Sequence, residues 1–213
     1  MTESVRSEYF QSRFRYDSGR FEVWRAIVDY LQPRYFSKID AVLDLGCGYG
    51  DFINHVRAEK KYAVDLVDVR KFLKSDVKFQ QRKVTDLTFI ADSSIDFVFA
   101  SNLLEHLEWP EIDELFEEIQ RVLVKSGRLV LIQPNFRLCA VNYFDDYTHR
   151  TILSDISLKD YLSANGMKVI QVKPGFLPFS MQGFLPKSYF LTRMFLELGS
   201  PLLGKQMLIV AEK

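Results

Sequence analysis

The chain has 213 residues, enough for one domain with insertions that buries roughly 70% or more of its unfolded surface. Its 28 Lys and Arg equal its 28 Asp and Glu, whereas a duplex-binding protein carries a basic excess, so nucleic acid is disfavoured as a substrate. No apolar run reaches about 18 residues, and Met1 to Phe21 is polar and broken by charges, so neither a membrane-spanning helix nor a signal peptide is expected.

Residues 5–36 interleave aromatic side chains with Arg6, Arg13, Arg15, Arg20 and Arg25. From Phe21 to Leu31 the apolar positions fall at helical spacing, and Pro33 is expected to end that helix. Two readings stand for this N-terminal helical cap, residues 1–38. It packs on the sheet edge, or its Tyr16 and Arg20 close over a bound ligand.

Val42-Leu43-Asp44-Leu45 is an apolar strand that runs into Gly46-Cys47-Gly48-Tyr49-Gly50, and Ile53 to Arg57 can continue as a helix. A strand that stops in glycines and restarts as a helix lets a ligand approach bare backbone, with N–H groups turned towards an anion. The spacing excludes two common ligands. A dinucleotide loop needs G-x-G-x-x-G, and a phosphate loop ends in Gly-Lys-Ser/Thr; neither is present. Cys47 lies where a disulfide would obstruct the loop, so with only two cysteines a reducing, cytoplasmic setting is the easier reading.

The second strand, Tyr62 to Leu66, carries Asp65 nineteen residues after Gly46, a spacing suited to the two hydroxyls of a ribose. Val77 to Gln80 forms a third strand, followed by Val84-Thr85-Asp86-Leu87. Ser94 to Ala100 is a fourth strand, nearly continuously apolar, as for a parallel strand covered on both faces. His106, in the segment Asn102 to Leu107, reads either as a catalytic group or as a packed, hydrogen-bonded residue. Pro110 opens a helix with its buried stripe at Ile112, Leu115, Phe116, Ile119, Val122 and Leu123, and Arg128 to Ile132 is the fifth strand. Alternating strands and amphipathic helices predict an α/β fold, a doubly wound parallel sheet with helices on both faces in three layers.

Between Gln133 and Arg150, two acids (Asp145, Asp146), two tyrosines, His149 and Arg150 crowd into nine residues at the carboxyl end of the fifth strand, where open parallel sheets bind ligands. A helix over Asp155 to Ala164 follows, then strands at Met167 to Val172 and Gln206 to Ala211. Residues 173–205 between them form an aromatic helical insert. The core sheet is thus assigned to 39–172 and 206–213 within a single domain, 1–213.

The D-x-G-x-G-x-G pattern, Asp65, Asp86, the Asn102 to His106 segment and the Lys125-Ser126-Gly127 turn follow one another as in the class I S-adenosylmethionine-dependent methyltransferases, which the chain resembles from about residue 41 to its C-terminus. The resemblance implies a Rossmann-like, seven-stranded sheet with an antiparallel last strand. S-adenosylmethionine would lie across the ends of the first, second and fourth strands. Carried over by position, Asp44, Gly46, Cys47, Gly48 and Gly50 would hold the methionine part, Asp65 and Leu66 the ribose, and Asp86 and Leu87 the adenine, with Asn102 alongside and Tyr16 and Arg20 above. DNA amino-methyltransferases typically carry an Asp/Asn-Pro-Pro-aromatic tetrapeptide after the fourth strand; its absence argues against exocyclic base methylation.

The Asp-Asp-Tyr-Thr-His-Arg stretch and the aromatic insert are similar to methyltransferases of bacterial polysaccharide and glycan biosynthesis, which implies a small-molecule or lipid-linked sugar acceptor. On that reading His149 is the base, with Asp145 or Asp146 orienting it or binding sugar hydroxyls. Residues 176–195 would form a lid, a homodimer contact or a peripheral membrane contact. Rival readings are a quinone or lipid-precursor acceptor, a divalent metal on Asp145, Asp146 and His149, and a non-catalytic S-adenosylmethionine-binding subunit. No metal is assigned as a resident group.

Overall fold

The computed structural model describes residues 16–37, 39–178, 187–198 and 204–213. Seven strands form one sheet: β1 (Ala41–Leu45), β2 (Lys60–Asp65), β3 (Val77–Gln81), β4 (Ile95–Ser101), β5 (Leu123–Pro134), β6 (Lys168–Leu177) and β7 (Gln206–Glu212). Their order is β3-β2-β1-β4-β5-β7-β6. β1 to β5 are parallel, while β7 inserts antiparallel between β5 and β6. The sheet is therefore the mostly parallel, Rossmann-like arrangement implied by the sequence.

Period-two alternation sends successive side chains of each strand to opposite faces, and two separate apolar cores result. Leu43, Val98, Leu129, Leu131 and Ile209 join one core. The helices α2 (Trp109–Val122) and, after the short α3 (Phe136–Cys139), α4 (Asp155–Ala164) cover it, α2 through Ile112, Leu115, Phe116, Ile119 and Val122. Val42, Phe97, Phe99, Val130 and Leu208 point the other way, beneath α1 (Arg20–Tyr35), which contributes Trp24, Ile27, Val28 and Leu31. The helix α2 starts where Glu108 and Glu111 close a reciprocal capping box and Pro110 occupies the first turn.

Three boundaries differ from the sequence expectation. Pro33 does not end α1, which continues to Tyr35; a proline in the last turn removes one backbone bond rather than interrupting the helix interior. No regular helix follows Gly50. Residues 50–55 form consecutive turns, because Asn54 gives its side chain to the Phe72 carbonyl and the Lys74 N–H while His55 turns its ring to the Asp51 carbonyl. Strand β5 begins at Leu123, directly after α2, so Gly127 lies within a strand and not at a helix end.

The insert is also resolved further. β6 extends to Leu177, and α5 (Tyr189–Leu198) packs on α1, with Tyr189 donating to Asp29 at 3.0 Å and Arg34 pairing with Glu197 at 2.7 Å. Phe176 and Leu196 are buried against that core, whereas Phe190 is 72% exposed. Phe179 and Phe184, part of the proposed lid or membrane contact, lie outside the described residues, as do residues 1–15 of the helical cap. Among the described residues no helix is long and apolar enough to cross a membrane.

Candidate cofactor and acceptor site

The strand order reverses between β1 and β4, the switch point at which open α/β sheets take their ligands. A cleft of about 490 Å³ opens there. Of the residues expected from sequence, Asp44, Gly46, Cys47, Gly48, Asp65, Leu66, Asn102 and Arg20 line it. Gly46, Gly48 and Gly50 all adopt positive φ, at 65°, 51° and 73°, a conformation that a β-carbon opposes. A β-carbon on Gly46 would in addition stand 3.0 Å from Leu103 Cδ1.

The glycine loop does not present its amides to an anion. Gly46 and Cys47 N–H both donate to the Val64 carbonyl, Gly48 N–H to Asp65 Oδ2 at 2.9 Å, and Gly50 N–H to the Cys47 carbonyl. The amides fix the loop against β2, and the ligand-facing polarity comes from side chains. Asp44 Oδ2 is a buried acceptor without a partner. Burial, reinforced by the charge of Asp65, holds the Asp44 carboxyl well above the usual carboxylate range, so a cation placed beside it is stabilised strongly. Trp24 Nε1, also on a cavity-lining residue, is a buried donor without a partner. Arg20 pairs with Asp51 at 2.5 Å at the same rim. An orphan acceptor and an orphan donor on one cleft match a zwitterionic amino acid moiety carrying an additional positive charge.

Asp65 accepts from the N–H groups of Gly48 and Val67 at 2.9 and 3.0 Å, one on each carboxylate oxygen, which leaves lone pairs for a vicinal diol. Burial raises its pKa and these backbone donors oppose the rise. Cys47 is buried and its thiol is pushed far up by desolvation, so it is a packing residue and not a nucleophile.

Four of the residues expected at the cofactor lie outside the cleft lining. Asp86 does not line the cleft; it is half-exposed and held by Arg82 at 3.0 Å and by Thr88 at 2.7 Å. Lys83, Val84 and Thr85 take that wall instead. Leu87 is fully buried in the core beneath α2. Gly50 shapes the loop from behind, with an added β-carbon meeting Leu73 and Asn54. Tyr16 is 56% exposed and stacks on Phe72 outside the cleft.

The end of the cleft away from the glycine loop is built by the loop after β5. Tyr143 is fully buried and its hydroxyl donates to the Thr151 carbonyl at 2.5 Å, while the N–H groups of Arg150 and Thr151 both donate to the Glu105 carbonyl. These bonds stitch the loop to a single 3-10 turn, Leu104–His106, and bring Thr148 and Arg150 to the cleft beside His106. None of the residues expected to be catalytic lines the cleft. Asp145 is exposed and accepts from Asn142, Asp146 accepts from Thr148, and His149 sits behind His106 with ring centroids 5.0 Å apart. The chemistry-bearing groups that sequence reasoning weighted too low are thus His106 and its neighbour Glu105. An acid inside the apolar run Leu103-Leu104-Glu105-His106-Leu107, directly after a buried strand, was the available signal.

Fold and cleft together resemble those of class I methyltransferases, the S-adenosylmethionine-dependent fold that the solved structures share with this chain. Residues 43–131 match the family model described as a methyltransferase domain. An uncharacterized protein of Methanocaldococcus jannaschii is 28% identical over 149 residues, which is 67% of this chain and 62% of that protein, so the chain spans less than two thirds of that relative's length. Among solved structures, a SAM-dependent methyltransferase from Archaeoglobus fulgidus superposes with a TM-score of 0.70 at 24% identity, covering 97% of this chain and 99% of that one. The plantazolicin methyltransferase BpumL, solved with a monoazolic desmethylPZN analog and SAH, gives a TM-score of 0.64 at 16% identity, with 99% and 89% coverage.

Proposed function

We propose that the chain transfers the methyl group of S-adenosylmethionine to a hydroxyl oxygen of a sugar or glycan precursor in the cytoplasm. The observation that carries this reading is the polarity of the acceptor end, where His106, Thr148, Arg150 and Glu111 meet at the cleft. The loop that supplies Thr148 also leaves Val141, Phe144 and Tyr147 exposed at 93%, 56% and 63%, a surface suited to the hydrocarbon of a lipid-linked acceptor.

S-adenosylmethionine supplies an electrophilic methyl on a sulfonium, displaced in line. The chain's own contribution is mostly placement, since holding reactants at near-attack distance replaces a bimolecular encounter. Asp44 neutralises the cationic methionine end, Trp24 Nε1 and Arg20 take the carboxylate, and Asp65 takes the ribose hydroxyls. Thr148 Oγ1 is buried, bonded to His106 and Asp146, and forms the wall against which the acceptor packs.

A labelled-methyl transfer screen over nucleotide sugars, lipid-linked sugars, quinone precursors and peptides tests the proposal. Alkali-stable label on a sugar hydroxyl supports it. Label on carbon, nitrogen or a quinone oxygen alone overturns it.

A further inference from the structure

Directly behind the acceptor end, Glu105 is only 1% exposed, and neither of its carboxylate oxygens has a hydrogen-bond partner. A buried carboxylate without a donor is costly, and such groups are normally paired or bound to metal. What faces it is a pair of imidazoles. His106 Nε2 lies 4.0 Å from Glu105 Oε1, too far for a hydrogen bond, and one ligand atom each from Glu105, His106 and His149 falls within 4.8 Å of the others.

The protonation pattern is set by the neighbours. Thr148 Oγ1 donates to Asp146 Oδ1 at 2.5 Å, so its one hydroxyl proton is engaged there. The 2.9 Å contact between Thr148 Oγ1 and His106 Nδ1 then requires the ring to be the donor. That places the proton of a neutral His106 on Nδ1 and the lone pair on Nε2, the Glu105 side. A carboxylate, through a hydroxyl, orienting a histidine so that its other nitrogen is a basic lone pair is the arrangement found behind metal-ligating histidines. His149 contributes the second ring. Its buried Nδ1 has no hydrogen-bond partner.

We propose that Glu105, His106 and His149 form a binding site for one divalent first-row transition ion at the acceptor end of the cleft, with Thr148 and Asp146 as the positioning pair behind His106. Two imidazoles and one carboxylate select zinc, manganese, iron or cobalt over calcium and magnesium, which take mostly oxygen ligands. Ligand atoms around an ion at about 2.1 Å stand roughly 3 to 3.4 Å apart, so side-chain rotations of about an ångström close the present cluster. His106 lines the cleft and Glu105 and His149 lie behind it, so the remaining coordination positions face the acceptor.

The ion's part in the reaction rests on the proposed O-methylation; its binding does not. A hydroxyl oxygen coordinated there loses its proton to solvent more readily because the ion stabilises the alkoxide. The oxygen then forms the new C–O bond as the S–CH3 bond breaks, and its electron pair returns to sulfur, leaving S-adenosylhomocysteine. The ion undergoes no change of oxidation state.

The test is cobalt titration of the chelator-dialysed full chain, followed by visible d–d absorption and zinc competition. One equivalent of cobalt is expected to bind, be displaced by zinc and resist millimolar magnesium. His149→Ala and Glu105→Gln should each weaken binding at least about 100-fold, and Thr148→Val about 10- to 100-fold, the range for outer partners. All three should keep the melting shift produced by S-adenosylhomocysteine, which separates loss of the ion from loss of the cofactor. Absence of d–d bands, or equal cobalt affinity in wild type and folded His149→Ala, overturns the site and assigns Glu105 to a buried, protonated acid.

Discussion

Replacing Asp65 with alanine separates the loop's structural role from its ligand role. In the ligand-free protein the substitution strands the N–H groups of Gly48 and Val67, which now donate to the carboxylate at 2.9 and 3.0 Å. Bonds to a charged acceptor are worth about 1.5–3 kcal/mol each, and relief of the carboxylate's own burial offsets part of that. A net loss of about 2 kcal/mol follows, which for a chain of this length lowers Tm by roughly 4–8 °C. In the liganded protein the variant also loses both acceptors for the ribose hydroxyls, again charge-assisted, so Kd should rise by about 100-fold or more. A ligand at 100 times its Kd stabilises the wild type by about 2.7 kcal/mol, roughly 5–11 °C. At the same concentration the variant should gain about 1 °C. Differential scanning calorimetry with and without S-adenosylhomocysteine measures both quantities. A variant that melts lower yet keeps the full ligand shift would refute the assignment of Asp65 to the cofactor.

Trp24→Phe preserves the ring packing on Phe99 and removes one donor, so S-adenosylhomocysteine affinity should fall about 10-fold in calorimetric titration with Tm changed by only a few degrees; unchanged affinity would remove Trp24 from the site. Gly46→Val puts a β-branched side chain at φ 65° against Leu103, and should cost about 2 kcal/mol or more and abolish cofactor binding. The pH dependence follows from Asp44. Because burial raises its pKa, the carboxyl takes up a proton at a higher pH than an ordinary aspartate, so cofactor affinity should fall as pH is lowered through that raised value. The ligand-free protein has the opposite sign. A carboxyl whose folded pKa exceeds the unfolded one favours the folded state at low pH, and that contribution is lost as pH rises through the folded value. Asp44→Asn should flatten both profiles, and an affinity profile identical to wild type would contradict the role.

The sheet and the side of the cleft formed by the glycine loop and Asp65 were legible because each depends on a local pattern. Apolar strands, alternate glycines and Asp65 at a strand end are all short-range features. The wall formed by Lys83 to Thr85 was not legible in this way. Asp86 was expected there, but the chain crosses the cleft at Lys83 to Thr85 and Asp86 is drawn outward by Arg82 and Thr88. The loop amides were expected to bind an anion, yet the Val64 carbonyl and Asp65 occupy them, a pairing that exists only once β2 lies beside β1. The placement of the loop after β5 was illegible for a related reason. His149, Asp145 and Asp146 stand out as a dense polar cluster, but the buried Tyr143 anchor turns the loop so that Thr148 and Arg150 reach the cleft and His149 backs onto His106. Glu105 stands among apolar neighbours in the sequence, but only the packed 3-10 turn shows that both of its carboxylate oxygens are buried without a partner.

The central claim is that the cleft at the β1/β4 switch point holds S-adenosylmethionine, and isothermal titration of S-adenosylhomocysteine into the full chain tests it most directly. The account predicts one saturable equivalent that is lost in Asp65→Ala and weakened in Trp24→Phe. Absence of saturable heat up to about 1 mM ligand, beyond any useful affinity at about −4 kcal/mol, would contradict it.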